Sequence, residues 1–136
     1  MTTPAATPTP GSSVGFVNGL TLSLSVRDLE RSKRFYGDVL GFVFCYEVEE
    51  IAWAGFHTPT RDVMVGLSQV EEVKPNNGLV PTFNVTDVDA TRAKLEAQQV
   101  SFDGPTQTLA GVVKLATFFD PDGHPFRLSQ SLGQSG

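Results

Sequence analysis

The chain repeats itself. The segment from Thr21 through Val26 into Asp28 and Leu29 returns, in pattern, from Val80 through Val85 into Asp87 and Val88, 59 residues on (87 minus 28). Each copy alternates apolar and polar residues, meets an Asp, and continues as an amphipathic stretch. Each later ends in a second alternating run, around Val65-Gly66-Leu67 and Phe126-Arg127-Leu128. A duplication of this kind restricts the fold: both copies form the same unit, and each must bury one face against another layer.

In the first copy Leu22, Leu24 and Val26 point to one side of a strand and Thr21, Ser23 and Ser25 to the other. Asp28 is placed to cap a helix, its carboxylate accepting a free N–H two or three residues on. Leu29, Ser32, Phe35, Tyr36, Val39 and Leu40 make one core-facing stripe, and Gly41 takes the left-handed end. The pattern predicts a helix over Leu29–Leu40 and then strands near Val43–Val48, Ile51–Phe56 and Val63–Ser68. Pro75-Asn76-Asn77-Gly78 is a turn-forming linker. Beyond it we expect a strand at Thr82–Val85, a cap at Asp87 and a helix over Asp89–Gln99. Strands near Val100–Asp103, Gly111–Phe119 and Pro125–Ser129 complete the copy, with Asp120-Pro121-Asp122-Gly123-His124 as the last turn. The order βαβββ, twice, predicts an α+β fold: two modules forming a curved, cup-like mixed sheet with helices on its outer face.

Residues 1–13 hold only small, polar and proline side chains after Met1, so a disordered tail is expected there. One domain is expected over 14–131, with modules at about 14–74 and 79–131, and a loose end at 132–136. A net charge of −5 argues against nucleic acid or an anionic membrane as partner, since both need a basic face. With one cysteine, Cys45, there is no disulfide framework, which suits a reducing cytosol. No apolar run reaches the roughly 20 residues of a membrane span. Together with the absence of a signal-like start, this leads us to expect a cytoplasmic protein.

Two stretches carry a family resemblance: Asp28-Leu29-Glu30-Arg31-Ser32-Lys33-Arg34-Phe35-Tyr36-Gly37-Asp38-Val39-Leu40-Gly41-Phe42, and Phe118-Phe119-Asp120-Pro121-Asp122-Gly123-His124-Pro125-Phe126-Arg127-Leu128. Both are similar to hallmark segments of the vicinal oxygen chelate superfamily, which holds glyoxalases, bleomycin-resistance proteins and extradiol dioxygenases. Its metalloenzymes take ligands from four strand positions, and the matching positions here hold Thr21, Gly66, Val80 and Arg127. None offers a carboxylate, imidazole or thiolate, so no metal site and no cofactor are expected. The resemblance also implies a homodimer, its cup completed by modules paired edge to edge.

Function must come from the cup. Alternation assigns it Thr21, Ser23, Met64, Gly66, Val80, Thr82, Asn84 and Arg127 as ligand-binding candidates. Arg127 either meets a ligand acceptor with its guanidinium or folds back onto a rim carboxylate. Trp53 is a candidate to stack on a flat ligand or a core aromatic. His57, at a strand exit, is the catalytic candidate as a general base, or else an ordinary rim histidine. His124 reads as a turn residue, and Arg27, Arg31, Lys33 and Arg34 as a solvated helix face. The leading expectation is a metal-independent small-molecule binding protein, for example one that sequesters an antibiotic. The alternative is a lyase, isomerase or biosynthetic tailoring enzyme on the same scaffold.

Overall fold

The computed structural model describes residues 14–133, so the tail expected at 1–13 and the last three residues lie outside the described residues. The first module runs β1 (Leu20–Val26), α1 (Leu29–Arg34), β2 (Val43–Val48), β3 (Trp53–His57) and β4 (Val63–Gln69). The second runs β5 (Thr82–Asn84), α2 (Val88–Glu96), β6 (Ser101–Phe102), β7 (Gln107–Leu109), β8 (Val113–Phe119) and β9 (Pro125–Ser131). Each module forms its own mixed sheet, β1-β4-β3-β2 and β5-β9-β8-β6, with β7 also on β8. The pairs β1–β4 and β5–β9 are parallel and the others antiparallel. The α+β class and the doubled unit are those the alternation predicts.

Both helices start as the sequence dictates. Asp28 accepts the Arg31 N–H at 3.1 Å and Asp87 the Ala90 N–H at 3.0 Å. The repeat extends to a contact that no local pattern announces. Gln69 from β4 caps Leu29 N–H at 2.7 Å, and Gln130 from β9 caps Val88 N–H at 2.8 Å.

Several boundaries differ from the sequence expectation. The first helix is α-helical only to Arg34 and continues to Val39 as a wider π turn, with Leu40 N–H reaching back to Phe35 C=O. Phe35 and Tyr36, neighbours in sequence, both stay in the core there. β3 begins at Trp53, because Glu49–Ile51 makes a 3₁₀ turn closed by a left-handed Ala52. α2 stops at Glu96, because Gln99 takes a left-handed conformation and Val100 N–H returns to Leu95 C=O. β7 is wholly exposed, so it carries no apolar alternation to betray it.

The two modules share one core. Leu24, Val26, Phe56, Val65 and Leu67 of the first sheet and Ala116, Phe118, Phe126 and Leu128 of the second belong to one buried cluster with Leu29, Phe35, Tyr36 and Leu95 of the helices. Rings cross between modules at Tyr36–Phe126 and Phe42–Phe83, with centroids 6.0 and 5.8 Å apart. Both sheets therefore spend their apolar faces on the same interior and leave their other faces outward. Among the described residues β1 and β5 each end a sheet, so the two sheets are not joined there.

A polar seam pins the Asp120–His124 turn of the second module onto β1 and α1. Tyr36, fully buried, donates from its hydroxyl to Asp120 at 2.7 Å. The other Asp120 oxygen accepts the Asp122 and His124 N–H groups at 3.0 and 2.8 Å. His124 is 1 % exposed; its Nδ1 accepts Asn76 N–H at 3.1 Å, so Nε2 carries the proton and donates to Ser25 C=O at 2.7 Å. Asp122 accepts from Arg27 N–H and from the Arg31 guanidinium, at 3.0 and 3.1 Å. The expectation of a solvated basic helix face is corrected here: Arg31 reaches a carboxylate whose side chain is fully buried, and Lys33 bridges Glu47 at 2.6 Å and Glu30 at 3.1 Å.

Candidate functional site

With the apolar faces spent on the core, chemistry is left to the two outward faces. On the first sheet the register sets three rows across four strands. They are Val43-His57-Met64-Thr21, Tyr46-Gly55-Gly66-Ser23 and Val48-Trp53-Ser68-Ser25. Thr21, Ser23, Met64 and Gly66 thus share one face, and Trp53 lies on it with them. His57 is exposed at the end of β3, and with Thr21 and Met64 it borders a hollow of about 360 Å³.

Trp53 does not stand up from this face; it lies along it. A Cβ built on Gly55 would sit 2.6 Å from Trp53 Cη2, and one on Gly66 2.8 Å from Trp53 Cζ2. Real Cβ atoms do not approach carbon so closely, so the two paired glycines form the seat of the indole. Tyr46 flanks it, ring centroids 5.1 Å apart. Gly66→Ala should push the ring off its seat at a cost of about 1–3 kcal/mol. Trp53 is the only tryptophan, so its emission reports this directly. Emission and denaturation midpoint both unchanged from the wild type would show that the seat is not tight.

On the second sheet Arg127 stands between Thr82 of β5 and Thr117 of β8. Its Nε contacts Thr117 Oγ1 at 3.4 Å, and it forms no ion pair among the described residues. Asp103, Gln107, Leu115 and Thr117 surround it in a hollow of about 250 Å³. Thr82 and Asn84 are exposed on the same side. Val80 stands apart: it precedes β5, is half-buried, and offers only its carbonyl to the Thr82 hydroxyl at 3.1 Å. The sequence reading missed Tyr46 and Thr117. For Thr117 a signal existed, since Phe118 is core and its neighbour on a strand must face the other way.

The donors at the four strand positions do not suit a divalent metal. Thr21 and Arg127 supply no metal-binding anion or imidazole, Val80 is off the strand, and Gly66 lies beneath an indole. Among the described residues, no three His, Cys, Asp or Glu side chains cluster in a way that would hold an ion. No helix among them is long and apolar enough to cross a membrane.

Residues 19–128 match the family model described as the Glyoxalase/Bleomycin resistance protein/Dioxygenase superfamily. No curated protein matches the chain. Among solved structures, TnmS3, an antibiotic binding protein from Streptomyces sp. CB03234, is 28 % identical with a TM-score of 0.70, over 86 % of this chain and 98 % of that one. A glyoxalase/bleomycin resistance protein from the same Streptomyces strain is 30 % identical with a TM-score of 0.64, over 82 % and 99 %. The fosfomycin resistance protein FosX from Listeria monocytogenes shares the fold at 17 % identity, with a TM-score of 0.70 over 86 % and 92 %.

Proposed function

This chain belongs to the glyoxalase/bleomycin resistance protein/dioxygenase superfamily, and from that premise we propose that it is a metal-independent binding protein for a flat, partly apolar small molecule, such as an antibiotic. The observation that carries this is Arg127, a cation on an outward face with a hydroxyl beside it and no carboxylate paired to it among the described residues. An unanswered guanidinium offers up to five donors to a carboxylate, phosphate or carbonyl of a ligand. Trp53, flat on its glycine seat, supplies the opposing requirement, an aromatic surface for a planar face. The 28 % identity to an antibiotic binding protein agrees with this choice.

One protomer holds Trp53 and Arg127 on different sheets. A homodimer resolves this: β1 of one protomer lies beside β5 of the other, so the Trp53 face of one closes over the Arg127 face of its partner. Among the described residues both strands are unpaired on that side, and pairing them removes exposed sheet edges.

The test is a titration of planar aromatic acids into protein stripped with chelator, following Trp53 emission, with sedimentation on the same sample. Saturable quenching by at least one such acid, unaffected by the stripping, and a dimer are expected. Binding or turnover that needs an added divalent metal would overturn metal independence. A monomer at high micromolar concentration would overturn the shared cup.

A further inference from the structure

The duplication predicts a second seam, twin to the polar one, where the Thr58–Val63 turn of the first module meets β5 and α2. Thr58 N–H bonds Val63 C=O just as Asp120 N–H bonds His124 C=O, so Thr58 stands for Asp120, Pro59 for Pro121, Thr60 for Asp122 and Val63 for His124. On the receiving side, 59 residues along, Leu95 stands for Tyr36, Asn84 for Ser25 and Ala90 for Arg31. The polar partners are therefore missing on this side. Leu95 has no hydroxyl to give, Val63 no ring N–H, and Ala90 no guanidinium. Where the first seam is filled by a buried tyrosine and histidine, the second is a cavity of about 340 Å³. Leu40, Phe42, Phe83, Leu95, Phe118 and Leu128 wall it, with Thr60, Asn84 and Thr91 as its polar groups. Phe118, Leu128 and Leu95 are 2, 4 and 8 % exposed, so much of the wall is interior rather than surface.

We infer that this cavity is a second ligand site, separate from the outward sheet faces, for a one-ring aromatic molecule carrying a hydrogen-bond donor, such as a phenol. The volume is at the small end of ligand sites, roughly 300–1,000 Å³, and suits one ring. The aromatic and aliphatic walls supply the apolar contact. The donor takes the part that Tyr36 and His124 play at the twin seam, meeting the polar groups at Thr60 or Thr91. A phenol is the group that Leu95 lacks and Tyr36 has.

The probe is p-cresol, titrated into the full chain and followed by methyl NMR. Saturable shifts are expected at the Leu40, Val85, Leu95 and Leu128 methyls. Leu95→Tyr, which restores the residue of the other copy, should weaken p-cresol by about tenfold or more and raise the melting temperature. Arg127→Ala should change nothing at this site, which separates the inference from the proposed function. Toluene, without the hydroxyl, should bind about tenfold more weakly. Shifts confined to Met64 and Leu115 on the outward faces, or no saturable shift, would overturn the site. The wild-type map decides this even where Leu95→Tyr does not fold. Equal affinity for toluene would overturn the donor.

Discussion

Asp120→Ala is expected to destabilise the protein by about 3–5 kcal/mol, because it orphans two buried donors and one part-buried donor at once. The Tyr36 hydroxyl and the N–H groups of Asp122 and His124 all end on this carboxylate. Asp120→Asn keeps an acceptor for the two N–H groups and an amide that can donate to the Tyr36 oxygen, so it should cost about 1 kcal/mol. Urea denaturation of the two variants checks the contrast, and an alanine variant within about 1 kcal/mol of wild type would show that the seam does not hold the modules. The pair also sets a pH dependence. Burial first, then the charge and hydrogen bond of Asp120 and the charge of Asp122, hold the Tyr36 phenol well above its ordinary value. A group raised by folding contributes stability that is complete below its unfolded pKa and lost above it, so this contribution should fade as pH climbs past about 10. Tyr36→Phe should flatten that alkaline loss. Asp120 is raised too, by burial, against the lowering effect of its hydrogen bonds. The same sign means that acid relieves rather than strains its carboxylate, so titration of Asp120 does not weaken the seam as pH falls.

Arg127→Ala should weaken binding of whichever planar acid quenches Trp53 by roughly 10- to 150-fold. That is the equivalent of losing one charge-assisted hydrogen bond, about 1.5–3 kcal/mol. The guanidinium has no carboxylate partner among the described residues, so its removal leaves no uncompensated protein charge behind. A large fall in affinity can then be assigned to the ligand. Arg127→Lys should recover only part of it, since an ammonium lacks the planar fork. Calorimetry on each variant measures this. Unchanged affinity in Arg127→Ala, with the circular dichroism spectrum intact, would leave the family fold as the only support for the binding reading.

Alternation was enough to sort the strands, because side chains on a strand have only two directions to point. Leu24, Val26, Phe126 and Leu128 went to the core, and Thr21, Ser23, Thr82 and Arg127 to the other side. Asp28 and Asp87 announced both helix starts for an equally local reason, since the donors they satisfy lie three residues away. The fold class followed from these short-range rules and their repetition, and the family from the resemblance of two segments, Asp28–Phe42 and Phe118–Leu128, to known hallmarks. What only the tertiary structure decided lies between residues far apart in the chain. No local pattern states that Trp53 rests on Gly66, that His124 donates a hydrogen bond to the Ser25 carbonyl, or that β1 and β5 both remain edges among the described residues. Nor does the repeat reveal that one seam is filled by Tyr36 and the other left open beside Leu95. Helix stripes and strand parity concern a few successive residues, whereas seats, seams and cavities depend on how two separately formed modules pack their side chains against each other.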